Sequence, residues 1–341
     1  MESKPVTLAL QGGGSHGAFT WGVLDRLLED GRVRIEGISG ASAGAMNAAV
    51  LAHGYTVGGR DGARRALADF WEAVARSAPF SSVPESVLQH ARLAPAADVP
   101  PAYKPMLSLL RIFSPYQLNP FDINPLRAIL LQQIDFERLR RECPLRLFIA
   151  ATHVGTGTLR LFRTRHLTVE VLLASACLPL LHRAVEIGGE VYWDGGLTAN
   201  PPLLPLVHRC SAHDIIAVLL HPRPRTRVPV TADDISQRLT EMNFSSTFFS
   251  ELQALMLAQR EARRGWFAFG RMERRLRNLH MHVVESRDLM TRLGGHSKLN
   301  AHPAFIRRLH AEGRERADAW LRHNFHALGA RSSFRPRRLF D

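Results

Sequence analysis

This sequence of 341 residues predicts an α/β protein, built on a mainly parallel sheet with helices over both faces. Three observations carry the prediction. Apolar runs alternate with helix-patterned segments from residue 6 to residue 74. Two of those runs empty into glycine-rich turns that open helices. Short apolar runs then return at 145–152, 159–162 and 215–220.

In chain order, residues 6–10 are a short apolar strand that enters Gln11-Gly12-Gly13-Gly14-Ser15-His16-Gly17, and a helix pattern follows over 18–28. The next apolar run, 33–38, leads into Gly40-Ala41-Ser42-Ala43-Gly44 and the helix-forming stretch 45–51. Between 79 and 125 the alternation breaks, because nine of the 20 prolines fall there and forbid long helices. That insertion reads as a proline-rich lid over the core. Its apolar piece, 106–113, suits either acyl chains or packing onto the core. The sheet resumes at 145–152, a central strand with 159–162 as its neighbour, and a helix is expected over 167–177. An apolar strand end, Val191-Tyr192-Trp193, then presents Asp194-Gly195-Gly196, and 215–220 is a further strand. His280 and His282 read as one face of a late strand. The last helix, 303–323, carries Phe305, Ile306, Leu309, Ala317, Trp320 and Leu321 at helical spacing and is expected to pack against the sheet, with 331–341 a frayed basic tail.

The chemistry concentrates at the turns. Gly40-Ala41-Ser42-Ala43-Gly44 after a strand and before a helix is the pattern of a nucleophile elbow, with Gly40 and Gly44 where the bend leaves no room for Cβ atoms. Three consecutive glycines, Gly12, Gly13 and Gly14, leave backbone N–H groups unobstructed, as an oxyanion hole requires, and the Ala43 N–H at the helix start is a further donor. Asp194 is a candidate base for the Ser42 proton if the fold closes the sequence gap. A free aspartate, at a pKa of ~3.9, is too weak for that task, so burial must raise it. Two rivals share these residues. Gly12-x-Gly14-x-x-Gly17 also matches the dinucleotide-binding fingerprint, with Glu36 near the ribose position, and ten histidines after Asp194 leave room for a Ser/His/Asp triad.

Together the glycine loop, the elbow, Asp194-Gly195-Gly196 and the segment Ala174-Ser175-Ala176-Cys177-Leu178-Pro179 resemble the bacterial patatin-like phospholipase family, over residues 6–220. The resemblance implies a three-layer α/β/α core, a Ser42/Asp194 dyad with turns supported by Gly17, Gly195 and Gly196, and hydrolysis of lipid acyl esters of phospholipase A or lysophospholipase type. It implies no metal and no other cofactor. A lipid-binding or regulatory module without turnover is the alternative from another functional class. Two departures stand out. His16 occupies the place of the family's Arg or Lys, which makes it a modulator expected to titrate near neutrality. Gln11 stands where the family often has Asp.

Composition bounds the rest. At 45% hydrophobic residues the chain can bury a sizeable core. No run reaches the ~18 apolar residues of a membrane span, and residues 1–5 lead straight into the first strand, so a cytoplasmic protein is expected. Cys143, Cys177 and Cys210 are too far apart in sequence for a disulfide framework or a zinc pair. Residues 1–230 read as the catalytic core, with the 79–125 lid inserted, and 231–341 as a basic, mainly helical C-terminal region packed on it. From 250 onward, 19 Lys and Arg stand against nine Asp and Glu, so most of the net +13 lies there. The helix pattern over 245–264, followed by Trp266, Phe267 and Phe269 and then Arg271, Arg274, Arg275 and Arg277, suits an anionic membrane surface or a solvated basic face. Nucleic acid is disfavoured because no zinc-finger or RNP-type motif accompanies the charge. Oligomeric state is left open.

Overall fold

The structure is a computed structural model that describes residues 3–77, 113–221, 228–264, 270–293 and 295–334. In chain order its elements are β1 (Lys4–Leu10), α1 (Gly17–Asp30), β2 (Val33–Gly40), α2 (Ala43–Ser77), α3 (Pro115–Leu118), α4 (Pro125–Gln133), α5 (Phe136–Glu142), β3 (Arg146–His153), β4 (Leu159–Arg163) and α6 (Val169–Ser175). Then come β5 (Val185–Ile187), β6 (Glu190–Asp194), α7 (Leu204–Arg209), β7 (Asp214–Leu219), α8 (Ala232–Arg264), α9 (Arg271–Arg277), β8 (His280–Glu285), α10 (Arg287–Arg292) and α11 (Pro303–Asn324). The apolar segment 106–112, the aromatics Trp266, Phe267 and Phe269, and the tail from 335 lie outside the described residues.

The strands form one sheet in the order β5-β6-β3-β2-β1-β7-β8, with β4 paired to β3. Pairing from β3 through β2, β1 and β7 to β8 is parallel, and β4, β5 and β6 add antiparallel pairs at the other end. Side chains alternate across a strand, and here the alternation builds two cores. Val6, Leu8 and Leu10 of β1 and Ile216 and Val218 of β7 join α1, α2 and α11 on one face. Ala9, Ile215, Ala217 and Leu219 join α7 and α8 on the other, around Phe248 and Leu252. The result is the three-layer α/β/α arrangement expected from the sequence.

The strand over 159–162 is the neighbour of β3 as expected, antiparallel to it. Details differ from expectation in three places. The helix expected over 167–177 starts at Val169 and stops at Ser175. Residues 332–334 are tied rather than frayed: Ser332 Oγ accepts from Met281 N, Ser333 Oγ meets His282 Nδ1 and Phe334 N donates to Met281 O. The last helix lies chiefly on α1 and touches the sheet through Trp320, whose ring meets that of His282 at 5.7 Å. Two glycines allow this close crossing. A Cβ at Gly22 would stand 2.0 Å from the His310 carbonyl oxygen, and one at Gly313 2.1 Å from that of Phe19. Beside the crossing, Asp25 of α1 binds Arg64, His310 and Arg314. Burial acts to raise the Asp25 pKa, but those hydrogen bonds outweigh it and hold the carboxyl well below its usual range.

The α1–α11 crossing makes a stability prediction. Gly22→Val should destabilise the protein by about 1–3 kcal/mol, the usual cost of overpacking. Urea unfolding checks it, and an unchanged midpoint would refute the account of the crossing.

Candidate active site

β3 organises the site by sharing one edge between two strands. Its residues Phe148 and Ile149 pair with both β2 and β4, so β4 lies on the edge opposite β2. Ala151 and Thr152 pair with both β4 and β6, so β6 shares the edge of β2. β2 runs parallel to β3 and ends with Gly40 opposite Ile149. β6 runs antiparallel and ends with Asp194 opposite Ala151. The C-terminal tips of β2 and β6 therefore meet, two residues apart along β3. Ser42 follows one tip and Asp194 forms the other.

Ser42 sits at the turn into α2 with φ of 52°, a left-handed conformation uncommon outside glycine and expected of a nucleophile elbow. Its N–H donates to the Ser175 carbonyl at 3.1 Å and Oγ at 3.0 Å. The turn is tight enough that a Cβ at Gly44 would stand 2.1 Å from the Leu10 carbonyl oxygen, while Gly40 backs onto Gly44 itself. Two residues beyond Ser175, the Cys177 carbonyl accepts the Asp194 N–H at 2.8 Å. The segment 174–179 thus holds both Ser42 and Asp194, a task its sequence did not disclose.

The Asp194 side chain is fully buried. Oδ1 accepts the Gly196 N–H at 2.7 Å, and Thr152 Oγ donates to the Asp194 carbonyl oxygen at 2.7 Å. Oδ2 has no well-aligned partner among the described residues. Ser42 forms no regular hydrogen bond with the carboxylate but is near enough to act on it. Desolvation pushes the Asp194 pKa up to about 7, against the opposing pull of Gly196 and Ser42. Gly195 and Gly196 form the turn that follows.

On the glycine loop, the Gly12 N–H is already committed, donating to Asn200 Oδ1 at 2.6 Å. Gly12 instead lies against Ser42, where its own Cβ would be 2.8 Å from the serine Cβ. The N–H groups of Gly13 and Gly14 have no acceptor among the described residues, and Ala43 begins α2 with its N–H ahead of the first helical hydrogen bond. Gly17 starts α1. Gln11 clamps the loop from below, its Oε1 accepting from Leu220 N at 2.7 Å and His221 N at 3.1 Å and its Nε2 donating to the Asn200 carbonyl.

His16 departs from the sequence expectation. It is buried, with Nε2 2.8 Å from Ser297 Oγ. Burial, aided by the nearby Lys298 ammonium, pushes its pKa down to about 3, so the ring stays neutral throughout the neutral range instead of titrating there. The charge beside the loop is Lys298, whose Nζ is 2.9 Å from His221 Nε2 and whose carbonyl oxygen packs on Gly14. Asn200, Ser175 and Lys298 were missed by sequence reasoning. Ser175 lay within the 174–179 segment and Asn200 six residues after Asp194, whereas Lys298 had no local signal.

Among the described residues no histidine hydrogen-bonds Ser42 or Asp194. His282 is spent on Asp214 at the far end of β7, and His310 on Asp25. Glu36, the ribose candidate of the dinucleotide reading, accepts from Ser211 N and Ala212 N at 2.6 Å each.

A family model described as patatin-like phospholipase matches residues 8–207. Among solved structures, the chain is similar to VipD from Legionella pneumophila with a TM-score of 0.42 and 16% identity, the match covering 94% of this chain and 67% of that one. A comparison with curated proteins found no significant match.

The raised Asp194 pKa has a sign that can be measured. With the folded value near 7 and the unfolded value near 3.8, the folded state holds the proton longer. The stability this gives is complete below the lower value and is lost as pH rises through 7. Asp194→Asn should therefore melt higher than the native chain at pH 8, and the difference should shrink towards pH 4. A pH-independent difference in melting temperature would refute the assignment.

Proposed function

We propose a lipid acyl hydrolase, from the premise that the chain belongs to the patatin-like phospholipase family. In this reading Ser42 Oγ attacks the ester carbonyl carbon and Asp194 takes the hydroxyl proton. The tetrahedral oxyanion is met by the Gly13 and Gly14 N–H groups and by Ala43 at the positive end of α2. Collapse breaks the ester C–O bond, and Asp194 returns the proton to the departing alcohol. Asp194 then takes a proton from water, whose oxygen attacks the acyl-serine. Ser42 leaves with that proton and the fatty acid is released. The reading rests above all on the meeting of β2 and β6 on one edge of β3. An aspartate with a pKa near 7 is matched to proton transfer at neutral pH, where an ordinary carboxylate is not.

Apolar surface around the site supports a lipid ester, of phospholipase A or lysophospholipase type. Phe121, Ile123 and Leu180 are exposed, and the segment bearing the first two packs at Arg183 and Ala184, with Tyr116 stacked under the Arg183 guanidinium at 5.1 Å. On the other side Phe244 of α8 packs on Gly196, and just before it Ile235, Leu239 and Met242 stand exposed at i, i+4 and i+7. Such a stripe suits peripheral contact with a bilayer. No helix among the described residues is long and apolar enough to cross one. Residues 1–230 are taken as the catalytic core and 231–341 as the C-terminal region; of the 79–125 insertion read as a lid, 79–112 lie outside the described residues.

Ser42→Ala and Asp194→Asn are each expected to abolish hydrolysis of p-nitrophenyl acyl esters while the protein stays folded. An active Ser42→Ala protein would end the proposal. Unlabelled Ser42 in a fluorophosphonate assay, with vesicle binding intact, would leave a lipid-binding module instead. In the native protein the acidic limb of the kcat/KM profile should have an apparent pKa near 7, because the base must be ionised. A limb near 4 would remove Asp194 from that role. The double variant Leu239→Asp/Met242→Asp should lose activity on vesicles and keep it on a soluble short-chain ester. Equal loss on both would argue against an interfacial stripe.

A further inference from the structure

At the opposite end of the sheet from Ser42 and Asp194, a cleft of about 550 Å³ opens beside the first residue of β3. From Arg146 at its mouth to Ala151 opposite Asp194 is five residues of strand, or roughly 16 Å. Six arginines line the cleft: Arg146 from β3, Arg163 from β4, Arg165 from the turn after it, Arg209 from the end of α7, and Arg271 and Arg275 from α9. Five separate elements contribute, so the charge is not an accident of one helix face.

Many arginines of this chain meet carboxylates, as Arg26 does with Asp318, Arg64 with Asp25 and Arg316 with Glu312, and others, such as Arg140 and Arg183, donate to backbone carbonyls. The cleft gathers six with little counter-charge. Its one acidic neighbour in an ion pair is Glu36, 3.4 Å from Arg146, and that carboxylate already accepts two backbone N–H groups. Among the described residues Arg163, Arg165, Arg209 and Arg271 form no ion pair, and all four are exposed. Arg275 donates instead to the Val207 and Ala212 carbonyls, and burial, with Arg271 and Arg146 nearby, lowers its pKa. Gathering so many unneutralised guanidinium groups around one concavity is unfavourable without an anion between them.

We propose that this cleft binds a small ligand carrying two or more phosphate groups, at a site separate from the acyl-transfer centre. Phosphoryl groups fit better than carboxylates because each brings up to two negative charges and three acceptor oxygens, which guanidinium forks grip in pairs. One phosphate is too little to neutralise the five arginines that Glu36 leaves uncompensated. The volume lies within the ~300–1,000 Å³ of small-ligand clefts. The ligand is either a multiply phosphorylated lipid headgroup or a soluble polyphosphate, and the two share this chemistry.

The test is calorimetric titration of the full-length protein with sodium tripolyphosphate, at low and at moderate salt. The comparison is the variant Arg163→Gln/Arg209→Gln/Arg271→Gln, whose altered side chains lack ion pairs to lose. The native protein should bind saturably and more weakly as salt rises, and the variant about 1,000-fold more weakly, since each of the three charged contacts is worth roughly tenfold. An unaltered melting temperature and unaltered p-nitrophenyl ester hydrolysis would show that only the cleft has changed, so the binding result stands whatever becomes of the catalytic proposal. Vesicles bearing a phosphoinositide bisphosphate, compared with phosphatidylserine vesicles of equal charge, separate the sources. Selective binding that tripolyphosphate reverses supports the headgroup, and equal binding supports the soluble ligand. No saturable binding of tripolyphosphate, or unchanged affinity in the variant, overturns the proposal. So does a DNA duplex that binds more tightly than tripolyphosphate and is lost in the same variant.

Discussion

One edge of β3, shared by two strands of opposite direction, is the constraint from which the site follows. Because β2 is parallel to β3 and β6 antiparallel, their last residues face each other across a gap that no continuous strand could leave. Register then decides everything. A slip of one residue in β6 would send the Asp194 side chain to the other face of the sheet and leave Ser42 opposite an apolar neighbour. Two bonds pin that register from outside the ladder, Thr152 Oγ to the Asp194 carbonyl and Asp194 N to the Cys177 carbonyl. The second arises from the segment that also fixes Ser42, so the distance between the two residues is held by one short stretch of chain.

In the proposed dyad, burial is what lets a carboxylate stand where other serine hydrolases use a histidine. An ionised aspartate in an apolar surrounding is costly, and Asp194 has one well-formed N–H bond and a loose serine hydroxyl to offset that cost. The same desolvation that raises its pKa to about 7 raises the neighbouring Cys177 thiol to about 12, with the Asp194 charge adding to the effect. The thiol therefore remains neutral and is no competing nucleophile. Basicity at Asp194 is gained at the expense of stability above neutral pH, a trade commonly found where function outweighs packing.

Much of this was legible in the sequence because the relevant signals were local. Gly40 and Gly44 around Ser42 marked the elbow, and Asp194-Gly195-Gly196 marked a carboxylate on a turn. The alternation over 6–74 gave the parallel sheet. What escaped depends on contacts between segments distant in sequence. Nothing around Gly12 indicated that Asn200 would take its N–H and reduce the glycine donors to Gly13 and Gly14. His16 read as a group near its ordinary pKa, because only the folded chain brings Ser297, Lys298 and Phe305 around it. The helix over 303–323 was correct as an element and misjudged in its partner, since the crossing of Gly22 with Gly313 is a property of two helices together. Of the six cleft arginines only Arg271 and Arg275 stood in a basic run of the sequence, and nothing linked them to Arg146, Arg163, Arg165 and Arg209 until five elements brought all six to one cleft.

The same long-range logic ties the C-terminal region to the chemistry at the core. α8 closes one flank: Phe244 packs on Gly196, its carbonyl accepts from Asn200 Nδ2 at 2.9 Å, and Glu251 accepts from Leu203 N and Leu204 N. Residues 297–298 close the other, with the Lys298 carbonyl against Gly14 and Ser297 Oγ on His16. Since Asn200 holds Gly12 and Gly12 lies against Ser42, displacement of α8 would reach Ser42 through three contacts. β8 then binds the region into the sheet itself, in register with β7 from Asp214 to Leu219. A boundary at residue 230 therefore separates stretches of sequence more cleanly than it separates function. The glycine loop keeps its shape because later chain is packed behind it, and Lys298, from that later chain, both lies against Gly14 and adds to the burial that keeps His16 neutral.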